Sequence, residues 1–396
     1  MSPVRSAPGA LLAEVFHPSS LSDRDLQAWA ALQAETPEFR NPLLGPDFAR
    51  AVGEVRADAR VAVWRRGGQA VGFLPHHARP GRLARPIGGP FSDYHALVSA
   101  AGELSSGAGA LRAAGLRAFR FTGLVDPFGL FREGASSAAE GWQIGIEDTG
   151  ESYLAGLAAG SRNRAKNYRR YHAKLQREVG EPYIVAPAAD AGAFDELLKW
   201  KRAHIERTGA LDFLRPAWTR QLMQRLFDRR DGRFQGLLVS LYAGDRHVCS
   251  HFGVRLGEHF HPWIGSSDPD LQACSPGLVH QWMAIEAMSG LGLRTYDLGP
   301  GHDHWKRMFA SEAVATVAGA VVAASPGGRP PSPFEAVWSL PSAGRLRRRL
   351  DQIAVTELTL GGRVHGLVRA VATYDRRLAA RAHEPVQDDS AERASP

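Results

Sequence analysis

No apolar run in the sequence approaches the roughly 18 residues needed to cross a bilayer, which excludes a helical membrane span. Residues 1–15 carry a single Arg and only a weak apolar run at 9–13. That is not the h-region of a secretory signal. Cysteine is nearly missing: Cys249 and Cys274 are the two present. They can build no disulfide framework, their spacing is not that of a metal-binding pair, and their apolar contexts mark them as small buried residues. Lys is scarce beside Arg, Ala and Gly, which reflects composition bias before function. These absences point to a reducing cytoplasm.

Acid is lacking in one stretch. Arg162, Arg164, Lys166, Arg169, Arg170, Lys174 and Arg177 follow one another with no Asp or Glu between them. The net charge is 48 − 41 = +7, so without these seven residues the chain is neutral. The basicity is local, which argues against a general nucleic-acid binder and for a specific anionic contact. A solvated arm is the plainer reading, but solvated helix faces normally mix charges of both signs.

At 396 residues the chain exceeds one ordinary core, and two domains of about 150–180 residues plus a tail are expected. Residues 20–34 read as an amphipathic helix capped by Ser22 or Asp23, with a short helix at 47–53. Residues 60–66 and 69–75 alternate around Arg66-Gly-Gly and predict a hairpin. A helix over 104–114 and a strand over 118–123 follow. A long helix is expected from Glu151 through the basic run to Val179, polar on nearly every side over 161–178. Beyond it come a strand at 183–186, helices at 190–209 and 216–229, and strands at 234–243, 247–255 and 258–265. Then come a helix opened by Pro276 and strands at 295–299 and 314–323. Ala62-Val-Trp-Arg-Arg-Gly-Gly-Gln-Ala-Val-Gly-Phe and Ser240-Leu-Tyr-Ala-Gly-Asp-Arg-His-Val-Cys-Ser-His-Phe look like two copies of one hairpin. Residues 325–333 are a linker by composition, the tail to about Ala382 has a basic helical pattern, and 384–396 read as disordered.

Several residues carry candidate chemistry. The helix start around Ser275, Gly277 and Leu278 offers free N–H groups to a phosphate, although a plain helix cap fits as well. In Tyr296-Asp-Leu-Gly-Pro-Gly, Asp297 could orient or deprotonate an amine, or merely cap a strand end. Lys306 could stabilise an oxyanion or lie on a helix surface. His251 could serve as a general base, or be a satisfied core histidine. His302, Asp303 and His304 do not have the spacing of a zinc site, and no metal is expected. Asp93 and Tyr94 follow a Gly-Gly-Pro loop and could line an acceptor pocket, as could Arg162 and Arg164 of the basic run.

The stretches Asn41-Pro-Leu-Leu-Gly-Pro-Asp-Phe, Gly88-Gly-Pro-Phe-Ser-Asp-Tyr, Ser161-Arg-Asn-Arg, Ser250-His-Phe-Gly, Ser275-Pro-Gly, Tyr296-Asp-Leu-Gly-Pro-Gly and Trp305-Lys-Arg-Met-Phe together resemble the CelD-like acetyltransferase family. That family is named for cellulose biosynthesis and related to FemAB-type peptidyltransferases. The resemblance spans about residues 15–323. It implies an α/β (α+β) architecture of tandem GNAT-like (acyl-CoA N-acyltransferase) folds with mixed central sheets and a basic C-terminal helical tail. The expected parts are an incomplete acceptor-side half (1–150), a second half carrying the acyl donor and the basic helix (151–325), and the linker and tail (326–396). By the same resemblance Lys306 stands near the reacting carbonyl. His302-Asp-His-Trp replaces the family's more usual acidic-plus-tyrosine run before that lysine.

The function expected is transfer of an acetyl or other acyl group from acetyl-CoA or another acyl-CoA to an amine or hydroxyl. The acceptor would be a sugar or cell-envelope (exopolysaccharide) precursor, small or linked to a lipid or nucleotide. Aminoacyl transfer from tRNA is the alternative, and a non-enzymatic scaffold in a polysaccharide synthesis complex is a third. No specific DNA partner is expected. The basic tail would give any peripheral contact with the inner membrane face.

Overall fold

The computed structural model describes residues 9–160, 162–230, 232–301, 304–323, 350, 352–357 and 361–368. The first half runs β1 (Leu11–Phe16), α1 (Asp23–Glu35), α2 (Pro46–Gly53), β2 (Ala59–Arg66), β3 (Gln69–Arg79), β4 (Leu83–Pro86), β5 (Val98–Ser99), α3 (Gly107–Ala113), β6 (Ala118–Leu124) and β7 (Ala135–Gly145). The second runs α4 (Gly150–Gly160), α5 (Arg162–Glu178), β8 (Pro182–Val185), α6 (Ala191–Thr208), α7 (Ala217–Asp228), β9 (Phe234–Ala243), β10 (Arg246–Leu256), β11 (His259–Ser267), α8 (Pro276–Ala287), β12 (Thr295–Pro300), α9 (His304–Phe309) and β13 (Glu312–Val322). This is a mixed α/β architecture of two GNAT-like folds in tandem.

The halves share one sheet in the order β1-β2-β3-β4-β6-β13-β7-β12-β11-β10-β9-β8, with β5 on β3. The two expected hairpin copies are β2–β3 and β9–β10, antiparallel and similarly placed in their halves. Each half also has one parallel pair that holds for only two registers before parting. In the first half it is Leu83↔Ala118 and Ala84↔Phe119. In the second it is His259↔Thr295 and Phe260↔Tyr296. A parallel pair that diverges leaves backbone N–H and C=O groups without ladder partners.

The first opening is closed by the chain itself. Beyond Phe119, the end of β6 takes His95 as a parallel neighbour, with His95 N–H donating to Gly123 O and Val125 N–H to His95 O. Among the described residues no strand fills the second opening, between β11 and β12.

β1 and β7 were not foreseen as strands. The first six residues of β7, Ala-Ser-Ser-Ala-Ala-Glu, have poor strand propensity and are exposed. They are held by the ladder to β13 alone, while 141–145 pair with β12. The basic helix also departs from the expectation of an unpacked arm. α5 buries Ala165 and Leu175, and Tyr168 stacks on Trp282 of α8 at 4.6 Å and 7°. A stripe at 165, 168 and 175 is helical spacing, with Lys166, Arg169, Arg170 and Arg177 left outward.

A second compact unit comprises 204–213 and 331–396; its described part is helical at 352–356 and 361–368. The remainder of the expected basic tail, and 384–396, lie outside the described residues. Among those described, no helix is long and apolar enough to cross a membrane.

Gly141 of β7 faces Tyr94, and a Cβ there would lie 1.8 Å from the Tyr94 hydroxyl. Gly141→Ala should displace that ring and lower unfolding free energy by about 2 kcal/mol. Gly156→Ala, with open space around it in α4, should be neutral or slightly stabilising. Denaturant midpoints of the two variants check this, and equal midpoints would refute it.

Candidate active site

The floor of the second opening is built around Asp297, whose residue is 0% exposed. Its Oδ2 accepts from Asn41 Nδ2 at 2.9 Å and Gln143 Nε2 at 2.8 Å. Its Oδ1 accepts from the Tyr94 hydroxyl at 3.1 Å and Gly299 N–H at 2.6 Å. His261 Nδ1 and His259 Nε2, both on β11, stand 3.4 Å and 3.6 Å from Oδ2. The donors arise from the turn before α2, the loop after β4, β7, β11 and β12 itself, so the carboxylate gathers both halves.

Burial by itself would raise the Asp297 carboxyl and lower the His261 imidazole. For Asp297, the neighbouring His261 and His259 outweigh burial and hold it far below the usual carboxylate range. For His261, Asp297 and Asp93 outweigh burial and lift it to about 9. His261 is therefore a fixed imidazolium near neutrality, between Asp297 on one nitrogen and Asp93 Oδ2, 3.4 Å from the other. Tyr94 is pushed well up by burial and by the Asp297 charge, so it remains a hydroxyl donor.

Asp93 differs from Asp297: its side chain is 40% exposed. It opens toward Gly299, where a Cβ would lie 3.1 Å from Asp93 Oδ2 and 3.9 Å from Lys306 Nζ. Gly299 has φ 72, a conformation favouring glycine, and its bare Cα lets a carboxylate and an ammonium approach one point. Lys306, on α9, donates from Nζ to Pro300 O at 2.8 Å. Trp305 beside it is exposed, and Trp142 closes the turn by donating to Gly301 O at 3.0 Å.

The opening leads to the start of α8. Ser275 adopts φ 46 before Pro276, and there is no acidic residue in the first turn of α8. Nothing stands within 4 Å of a Cβ added at Gly277, while Leu278 packs into the core under α8. α5 brings cations here: Lys174 donates to Ala273 O at 3.0 Å. The Arg170 guanidinium lies over the Tyr171 ring, 4.5 Å from its centroid. The positive dipole end of a helix with Lys and Arg beside it suits a phosphate group.

Of the residues singled out in the sequence, the structure brings Asp297, Asp93, Tyr94 and Lys306 together, and places Ser275, Gly277 and Leu278 at the helix start beside the opening. His251 is not among the groups around Asp297: it bonds to Tyr296 and packs on His280 of α8. Arg164 donates to Met308 O at 2.8 Å, tying α5 to α9. Arg162 begins α5. Both His302 and Asp303 lie outside the described residues. Sequence reasoning missed Asn41, Gln143, His259 and His261. A signal existed for the last two: His-Phe-His on a strand puts both imidazoles on one face.

Residues 162–307 match the Acetyltransferase (GNAT) domain family. No curated protein matches the chain. Solved structures similar to it include that of FemX, at 13% identity, covering 77% of this chain and 96% of that one with a TM-score of 0.48. Another is the C-terminal domain assigned to a lysylphosphatidylglycerol synthetase from Agrobacterium fabrum, at 11% identity, 76% and 91% coverage and a TM-score of 0.47. A third is a tandem GNAT protein from the clavulanic acid biosynthesis pathway, at 12% identity, 80% and 99% coverage and a TM-score of 0.45. The matched segment contains β8–β12 and reaches Lys306, so the likeness to an acetyltransferase domain falls on the second half of the sheet.

Because His261 titrates above its ordinary 6.5 in the folded state, at about 9, its stabilising contribution is complete below 6.5 and is lost as pH rises through 9. The melting temperature should fall across that window in the wild type and be flatter in His261→Gln; parallel profiles would refute the assignment. Asp297→Asn, which leaves the buried imidazolium short of its counter-charge, should cost about 3–5 kcal/mol.

Proposed function

We propose that the chain transfers an acetyl or other acyl group from CoA to an amine or hydroxyl in the opening between β11 and β12, by direct attack. The observation that carries this reading is the convergence of Asp93 and Lys306 on Gly299, at the unpaired edge of a parallel pair that leads to the α8 N-terminus. The phosphates of the donor would lie at Ser275 and Gly277, flanked by Lys174 and Arg170. Its thioester would reach along the unpaired edge of β11.

The acceptor loses its proton to the half-exposed carboxylate of Asp93 as its N or O bonds to the acyl carbon. The Lys306 ammonium offsets charge on the carbonyl oxygen. The C–S bond then breaks, and the CoA thiolate leaves and is protonated. Asp297 is sealed from the reaction. It positions Tyr94, and through His261 it sets the place of Asp93. The CelD-like resemblance suggests a sugar or cell-envelope precursor as acceptor, and a cytoplasmic setting follows from that reading.

Aminoacyl transfer from tRNA is the second reading. It is favoured by the outward row of Lys166, Arg169, Arg170 and Arg177 on α5, a stripe able to follow a phosphate backbone.

Isothermal titration with acetyl-CoA separates them. Micromolar binding abolished by Gly277→Glu is expected. Lys306→Ala should keep most binding yet lose about 10²–10³-fold in turnover, and Asp93→Asn should lose turnover more than affinity. If neither acetyl-CoA nor longer acyl-CoAs bind, acyl-CoA transfer is excluded; tRNA binding that weakens steeply with salt would then favour the second reading.

A further inference from the structure

On the α8 side of the sheet, opposite the face that Asp297 presents, β10 and α8 bring together Cys249, His251 and His280. One ligand atom from each lies within 4.8 Å of the others. We propose that these three side chains bind a divalent metal ion of the zinc class, fastening α8 to β10. The proposal is independent of the acyl-transfer reading.

Cys249 and His280 are 1% and 0% exposed, and His251 is half-buried. The two rings lie 4.2 Å apart between centroids. Each imidazole is held by one nitrogen: His280 Nε2 by Val239 O at 2.9 Å, and His251 Nδ1 by the Tyr296 hydroxyl at 2.6 Å. An outer hydrogen bond that fixes the ring and frees its other nitrogen is the usual arrangement of metal-ligating histidine. The free nitrogen of His280, Nδ1, is buried and has no hydrogen-bond partner, although interior polar atoms are ordinarily satisfied. Gly265 provides the space for His251: a Cβ there would fall 2.5 Å from its ring.

The donor set chooses the ion. One thiol and two imidazoles suit zinc and not magnesium or calcium, which take oxygen. Zn–N bonds of about 2.0–2.1 Å and Zn–S of about 2.3 Å put tetrahedral ligand atoms about 3.3–3.8 Å apart. Side-chain adjustments of about an ångström close the set around an ion, and a water fills the fourth position. Lys201 is near enough for its charge to act on His251, so a dication is accepted only against a thiolate: the Cys249 S–H bond breaks, an S–Zn bond forms and the proton is released. No linear motif links positions 249, 251 and 280, which is why the sequence shows no metal site there.

The test is metal analysis of the full chain made without an affinity tag in zinc-supplied medium. About one zinc per chain is expected. Protein stripped with a chelator and given cobalt(II) alone should show a thiolate-to-cobalt charge-transfer band, absent in both Cys249→Ser and His280→Gln. Wild-type protein that holds neither zinc nor cobalt overturns the proposal, as does a cobalt–thiolate band that survives Cys249→Ser. If a variant fails to fold, wild-type zinc content and the cobalt spectrum still decide.

Discussion

A carboxylate sealed from water holds this molecule together at its centre. Asp297 would be costly to bury alone, and it is tolerable because Asn41, Tyr94, Gln143, the Gly299 amide and two histidines surround it. Those partners come from segments widely separated in sequence, and each has to be in place for the charge to be compensated. The same contacts that stabilise the junction therefore set the position of the exposed residues above it. Asp93 is held through His261, and the Gly299 turn is held by Asp297 itself.

The two halves share one plan and put it to different uses. Both have a hairpin followed by a parallel pair that separates after two registers. In the first half the gap is taken by the segment ending at His95, and that same segment carries Asp93 and Tyr94 into the second half. The first half thus gives up its own opening and furnishes part of the wall of the other. The acetyltransferase match over 162–307 falls on the half whose opening is free.

Much of the architecture could be read from local pattern. The Ser22 cap of α1, with its hydroxyl accepting from Asp25 N–H, and both hairpins follow from turn chemistry and alternation. Asp93, Tyr94, Asp297 and Lys306 stood out because they flank Gly/Pro-rich turns, where backbone approach is close. Asn41 and Gln143 did not, since nothing local distinguishes a turn asparagine or a strand glutamine that meets its partner only in three dimensions. The packing stripe of α5 was masked by the charge around it. For His251 the sequence left a general base and a satisfied core histidine both open; its surroundings on β10 became visible only with α8 folded over it.

β13 lies between β6 and β7, and β7 is flanked on its other side by β12. During synthesis, residues 135–145 emerge long before either partner exists, because 295–300 and 312–322 come near the end of the sheet-forming sequence. The first half cannot be joined to the second until the last strand leaves the ribosome, so the central seam is a late, non-local event. An unpaired strand waiting that long invites aggregation when it is apolar. The opening run of β7, Ala-Ser-Ser-Ala-Ala-Glu, contains no aromatic or β-branched residue. Its weak strand propensity, a handicap for recognising it in the sequence, makes it a benign edge to leave open on a nascent chain.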